Sequence, residues 1–129
     1  MGNNKHDSIQ AAWEAFQNQP WGKHVDLATF TKIIDEGATP LDVRTQQEFD
    51  AGHIPGAIHI DVSSYDFGYY VDKLDKTKPY AVYCFSGSRS LTAVSRMKYV
   101  GFDKVAGLEG GVSVWDGPIE QGIPSEDAQ

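Results

Sequence analysis

The sequence predicts an α/β fold of three layers, α/β/α, with a central parallel sheet. Two observations carry this prediction: short β-like runs alternate with helical runs, and the run at residues 80–84 (YAVYC) is apolar almost throughout. A continuous apolar strand is typical of a parallel sheet covered on both faces, and strand–helix alternation supplies the covering helices. A chain of 129 residues is long enough for one domain with a buried core.

The individual elements follow from local patterns. Residues 7–19 are expected to form an amphipathic helix, because apolar side chains recur there at helical spacing. That apolar face consists of Ile9, Ala12, Trp13 and Phe16. We expect the helix to dock on the domain, with self-association as the alternative. The other predicted elements are helices over 27–37 and 90–100, strands over 39–43, 57–61, 80–84 and 104–108, and a short helix within 110–117.

The pattern divides the chain into an N-terminal helical extension (1–22), the main domain (23–120) and a loose C-terminal tail (121–129). In the helix over 90–100, spacing predicts an inward face formed by Leu91, Val94, Met97 and Val100.

Composition excludes several classes of function. No apolar run approaches the roughly 20 residues needed to cross a bilayer, and the first ten residues lack the apolar segment of a secretory signal. One cysteine allows neither an internal disulfide nor a cysteine-based metal cluster, so we expect a cytoplasmic protein without membrane attachment. A net charge of −7 argues against nucleic-acid binding, which needs excess Lys and Arg.

The single cysteine, Cys84, ends the predicted buried strand and therefore lies at the carboxyl edge of the sheet, where open α/β sheets bind their ligands. Small or polar residues around Gly87 follow, and a helix begins among them. Such a turn directs free backbone N–H groups inward, and with the helix dipole they favour a bound anion and a thiolate. The alternative is that Cys84 is an inert core residue, as unpaired cysteines often are.

Arg89 argues for a chemical role of this loop. A cation in the first helical turn opposes the helix dipole by a few tenths of a kcal/mol, which is reasonable if Arg89 helps to bind an anion. From Cys84 to Lys104, four basic residues stand against one acid, a local charge of +3. This excess favours a small anionic substrate.

Two stretches carry a family resemblance: LDVRTQQEFDAGHIPGAIHI (41–60) and YCFSGSRSLTAVSRMKYVGFDKVAGLEGGVSVW (83–115). The second stretch contains the C-x-x-G-x-R-S loop (84–90), and these elements occur in the order and spacing of a known family. From about Val25 to Trp115 the chain resembles a single-domain rhodanese, of the thiosulfate sulfurtransferase family. The main domain is then a rhodanese domain.

The resemblance implies a sulfurtransferase. Cys84 would take a sulfane sulfur from thiosulfate or a similar small anionic donor as a persulfide and pass it to a thiophilic acceptor, either cyanide or a thiol. The acceptor thiol can belong to another protein. The resemblance implies neither a metal nor an organic cofactor. The residues expected to bind the sulfur are Phe85, Ser86, Gly87, Ser88 and Arg89, with Ser90 in support.

Asp42 and Arg44 end the strand expected beside that of Cys84, and we expect both to support the site structurally. An alternative is that Arg44 only pairs with Glu48 at i,i+4 spacing.

His53, in the GHIPG turn, is expected to be structural, because an ionised thiol needs no base. We expect His59 to be packed or exposed rather than chemical, and Trp115 to anchor the core.

The sequence leaves two other functions open. A Cdc25-like phosphatase has a related fold, but its loop holds one residue more than the four between Cys84 and Arg89. A non-catalytic rhodanese-like binding module commonly lacks the cysteine, which is present here. A thiol-disulfide oxidoreductase would need a second cysteine. The tyrosine-rich segment 62–73 is expected to shape the rim of the site and to contribute to the choice of a thiol or protein partner.

Overall fold

A computed structural model describes residues 5–122, with the side chains of residues 5–7 and 15–18 excepted. The helices are α1 (Lys5–Asn18), α2 (Leu27–Asp35), α3 (Gln46–Ala51), α4 (Phe67–Val71) and α5 (Ser88–Tyr99). The strands are β1 (Lys23–Val25), β2 (Thr39–Asp42), β3 (Ile58–His59), β4 (Tyr80–Tyr83) and β5 (Val105–Leu108), and a 3₁₀ turn, η1, spans Gly111–Val114.

In the described residues the strands form one parallel sheet in the order β1-β5-β4-β2-β3. Asp42 at the end of β2 pairs in register with Tyr83 at the end of β4. The loops that follow these two strands therefore leave the sheet side by side. The predicted α/β fold with a parallel sheet is confirmed.

The core lies on both faces of the sheet. Along β4, Val82 packs into a cluster with Val94 and Met97 of α5, whereas Tyr83 packs into a second cluster with Phe30 of α2. Tyr80 through Tyr83 are all buried, as the uninterrupted apolar run predicts for a strand covered on both sides.

Helix α2 illustrates how local sequence sets an element. The Asp26 side chain accepts a hydrogen bond from the backbone N–H of Thr29 (2.9 Å) and so begins the helix. Phe30 and Ile33 are then three residues apart on the face that meets the sheet. In α5 the predicted inward face is correct for Val94 and Met97 and wrong for Leu91 and Val100, which are exposed.

Three elements are absent from the predicted set: the edge strand β1, helix α3, and the short helix α4, which lies inside the tyrosine-rich segment. At the N-terminus, Ile9 and Trp13 of α1 are 67% and 55% exposed, so this part of the predicted apolar face is not buried. Trp13 nevertheless lines a cleft with Trp21 and Lys98. The side chain of Phe16 and residues 123–129 of the predicted tail lie outside the described residues.

No helix among residues 5–122 has the length and apolar character that a bilayer span requires.

Candidate active site

The thiol of Cys84 lies in a cradle of backbone N–H groups. Cys84 directly follows β4 and is fully buried. The N–H groups of Gly87 and Ser90 point at its Sγ atom, at 3.0 and 3.3 Å. Gly87 precedes α5 with a φ of 112°, a left-handed conformation that favours glycine. The turn into α5 therefore directs the backbone N–H groups of Gly87 and Ser90 at the sulfur.

The turn η1 holds this loop in place from behind. The N–H of Val112 donates to the carbonyl of Cys84 (2.7 Å), and that of Ser113 donates to the carbonyl of Phe85 (3.0 Å). Gly111 lies so close to the backbone of Cys84 and Phe85 that a Cβ at this position would overlap their carbonyl groups. With these carbonyls directed toward η1, the following N–H groups are left to face the sulfur.

The cradle stabilises the thiolate. Burial alone raises the pKa of Cys84, because it disfavours the charged form. Hydrogen bonds from the side chain and backbone of Ser90 and from the N–H groups of Gly87 and Arg89 act in the opposite direction and prevail. The net result is a pKa below the ordinary value of a cysteine, as a nucleophile requires.

His24 is a site residue that the sequence did not reveal. Ser90 Oγ lies 3.6 Å from Cys84 Sγ and 3.2 Å from His24 Nε2. Burial lowers the pKa of His24, and Glu109 raises it to a smaller extent. His24 reaches the site because β1 pairs with β5, where Gly107 lies opposite it and leaves room for the ring. No local sequence signal reports a pairing between strands so far apart in the chain.

Arg89 does not point freely into the mouth of the loop. Its guanidinium forms two hydrogen bonds with the carboxylate of Glu48 on α3, at 2.7 and 3.0 Å. The hydrogen bond from Arg89 is the main reason that the pKa of Glu48 falls to about 2. Glu48 therefore carries its charge at any physiological pH and neutralises Arg89.

Two of the other three basic residues of the local excess, Arg96 and Lys98, make contacts elsewhere in the chain. Arg96 lies over the ring of Phe67, with its Cζ atom 4.5 Å from the ring centroid. Lys98 donates to the carbonyl of Gly22 (3.2 Å). Arg96 and Lys98 are thus engaged in contacts with other parts of the chain, and Arg89 is paired with Glu48.

Asp42 and Arg44 form a buried ion pair (2.6 Å) at the end of β2. Arg44 also donates to the carbonyl of Gly52 (2.5 Å) and lies over the ring of Tyr83, the residue before Cys84. The pair thus ties the end of β2 to the turn after α3. The alternative of a salt bridge between Arg44 and Glu48 is wrong, because Glu48 pairs with Arg89.

The histidines of the motif region make structural contacts. Nδ1 of His53 lies 2.8 Å from the carbonyl of Phe49, and its Nε2 lies 3.3 Å from the carboxylate of Glu120. His59 Nε2 lies 2.7 Å from the carbonyl of Arg44. These contacts agree with the structural interpretation of both residues.

The rim of the loop is more open than its floor. Phe85, Ser86 and Ser88 are exposed, whereas Gly87 and Ser90 are buried.

Trp115 packs edge-on against Phe30 with a centroid separation of 6.2 Å, consistent with an anchoring role in the second core cluster. The described residues contain no cluster of His, Cys, Asp and Glu suited to a metal ion.

Known proteins share this architecture. The rhodanese-like domain family matches residues 26–117. A thiosulfate sulfurtransferase GlpE from Ectopseudomonas mendocina is 36% identical over 108 residues, covering 83% of this chain and 93% of that protein. Another, from Pseudomonas savastanoi pv. phaseolicola, is 33% identical over 83 residues, covering 64% of this chain and 76% of that protein.

A solved structure agrees. A rhodanese-related protein from Thermoplasma volcanium aligns with a TM-score of 0.68 at 30% identity, over 76% of this chain and 97% of its own. The region that matches the family, residues 26–117, contains the cysteine loop, the buried ion pair and strands β2–β5. The chain belongs to the rhodanese-like domain family.

Proposed function

We propose that this protein is a sulfurtransferase that moves a sulfane sulfur from thiosulfate or a similar donor to a thiophilic acceptor through a persulfide on Cys84. The observation that carries the proposal is the pair of N–H groups, from Gly87 and Ser90, directed at Cys84 Sγ. The curated relatives named thiosulfate sulfurtransferase support it.

In the first step the Cys84 thiolate attacks the outer sulfur of thiosulfate. A new S–S bond forms at Sγ, the S–S bond of the donor breaks, and its electron pair leaves with sulfite. The enzyme then holds a persulfide anion, and charge is conserved: a thiolate and a dianion give a persulfide anion and a dianion. Because Cys84 has no exposed surface in the resting loop, the loop must open for the donor sulfur to reach Sγ.

In the second step an acceptor attacks the outer sulfur of the persulfide. Cyanide leaves as thiocyanate, or a thiolate leaves as a new persulfide, and the Cys84 thiolate is restored. The sequence contains no other cysteine, so the acceptor is a separate molecule.

The cradle contributes to both steps in the same way. Hydrogen bonds that stabilise the thiolate also stabilise the persulfide anion, and they are already in place before the reaction begins. Gly87, Arg89 and Ser90 supply backbone N–H groups, and Ser90 adds its hydroxyl. Asp42 and Arg44 hold the neighbouring strand end. No step requires a metal or an organic cofactor.

Thiocyanate formation from thiosulfate and cyanide tests this proposal. We expect activity in the wild type, only the uncatalysed background in Cys84→Ser, and wild-type activity in the control Ser95→Ala, an exposed serine on the same helix. Equal rates for wild type and Cys84→Ser would overturn the proposal. So would a folded wild type inactive with thiosulfate and with other sulfane donors, which favours a binding module.

A further inference from the structure

The charged group best placed to attract an anionic donor is already paired. Arg89 and Glu48 meet in a two-point contact of 2.7 and 3.0 Å, and each side chain is 33% exposed. The planar guanidinium uses on Glu48 the same paired donors that would hold a sulfonate. A dianion that binds Arg89 must first displace the carboxylate.

The remaining charges near Arg89 are negative. Asp61 and Cys84 both act electrostatically on its guanidinium, in addition to Glu48. With Cys84 ionised, Arg89 interacts with three anions, and the neighbouring Arg44 is already paired with Asp42. The basic residues of α5 do not restore the balance, because Arg96 lies over Phe67 and Lys98 contacts Gly22.

We infer that Glu48 is a specificity-determining residue of the sulfur-donor site. By neutralising Arg89 it disfavours dianionic thiosulfate and favours sulfane donors with one negative charge or none, such as the hydropersulfide of a thiol. This inference rests on the proposed function, because it concerns the donor that loads Cys84.

The chemistry with a low-charge donor is complete without added reagents. The Cys84 thiolate attacks the outer sulfur of a hydropersulfide, R–S–S–H. The S–S bond of the donor breaks, and its electron pair leaves with the inner sulfur. The products are Cys84 persulfide, which keeps the proton, and the thiolate R–S⁻. The leaving group carries a single negative charge, so no arginine is needed to offset a dianion.

The variant Glu48→Gln tests the effect of the carboxylate charge while the local structure of α3 is kept. Glu48 also closes a capping box on α3: its side chain accepts from the Thr45 N–H and Oγ1 (both 3.1 Å), and its own N–H donates to Thr45 Oγ1 (3.2 Å). Glutamine serves equally at this position of a capping box. The variant therefore removes the charge and keeps the cap. The matched control is Asp50→Asn, which removes one charge from the same helix, where Asp50 contacts Gln46.

The experiment compares thiosulfate with methanethiosulfonate, which presents the same sulfane sulfur with one charge fewer. The rate of Cys84 persulfide formation gives kcat/KM for each donor. We expect Glu48→Gln to raise kcat/KM for thiosulfate roughly 10-fold, mainly through KM, and to change that for methanethiosulfonate much less, because like-charge repulsion grows with donor charge. Asp50→Asn should change both by less than about twofold.

The double variant Glu48→Gln/Arg89→Gln shows whether the gain acts through Arg89. We expect it to lose the thiosulfate gain. An unchanged preference between donors in Glu48→Gln, or a gain that persists without Arg89, would overturn the inference while persulfide formation on Cys84 leaves the proposed function intact. If neither donor loads Cys84 in any variant, the proposed function fails and the inference fails with it.

Discussion

Two arginine–carboxylate pairs lie at the carboxyl edge of the sheet, and they differ mainly in burial. Arg44 and Asp42, at the end of β2, leave 6% and 0% of their side chains exposed. Arg89 and Glu48, which join the cysteine loop to α3, leave 33% each. Both pairs use more than one hydrogen bond, so solvent access is the main difference between them.

That difference assigns the two pairs different roles. Removing one partner of a buried pair leaves a charge without compensation in the interior, which is costly, whereas an exposed pair contributes little because water solvates either partner. The Asp42–Arg44 pair is thus a fixed part of the framework. The Glu48–Arg89 pair can open when a substrate competes for Arg89.

The largest expected effect comes from breaking the buried pair. We expect Asp42→Asn to lower the free energy of unfolding by about 3 kcal/mol, because Arg44 keeps its charge without a counterion. Glu48→Gln should lower it by about 1 kcal/mol or less. Urea denaturation of both variants measures this, and equal losses would show that burial does not distinguish the two pairs.

The second effect concerns the backbone that holds the cysteine loop. Gly111 has a φ of 63°, and a Cβ there would overlap the backbone of Cys84 and Phe85. We expect Gly111→Ala to displace the loop, to cost about 2 kcal/mol of stability and to abolish most of the thiocyanate-forming activity.

Gly56→Ala is the control, because Gly56 also has a positive φ (81°) but a Cβ there meets no described atom within 4 Å. It should lose stability through backbone strain alone and keep its activity. Comparable activity in the two variants would contradict the role given to η1.

A smaller effect is expected from the hydroxyl that meets the sulfur. Ser90→Ala removes the Ser90 Oγ contact with Cys84 Sγ, one of the interactions that lower the pKa of Cys84. The pKa should therefore rise, and alkylation by iodoacetamide at mildly acidic pH should slow. The pH profile of the alkylation rate measures the shift. A profile that matches that of the wild type would mean that the backbone N–H groups alone set the pKa.

The smallest effect is the pH dependence of the exposed pair. The pKa of Glu48 falls from 4.5 to about 2 in the folded protein. A lowered carboxylate pKa stabilises the fold fully above pH 4.5, and this contribution is lost as the pH falls toward 2. The stability difference between wild type and Glu48→Gln should be constant above pH 4.5 and shrink below it, as chemical denaturation at several pH values would show. A constant difference down to pH 2 would contradict the assignment.

The sequence predicts the parts of this site that are local in the chain. The apolar run before Cys84 and the spacing from Cys84 to Arg89 led to a buried strand, a tight loop and a helix, because each depends on neighbouring residues. The same local reasoning placed Asp42 and Arg44 at the adjacent strand end.

Contacts between distant segments could not be predicted from the sequence. Glu48 is 41 residues from Arg89, and His24 is 66 from Ser90. Neither contact leaves a local signal, so the sequence does not show that Glu48 pairs with Arg89. The exposed Leu91 has the same cause: helical spacing defines a face, but the packed neighbours decide how much of it is buried.

The intact mass of the protein after incubation with a sulfane sulfur donor tests the central claim most directly. We expect the wild type to gain one sulfur atom, Cys84→Ser to gain none, and cyanide to return the wild type to its original mass. A wild type that stays unmodified while circular dichroism shows it folded, or a Cys84→Ser variant that gains the same mass, would contradict sulfur transfer through Cys84.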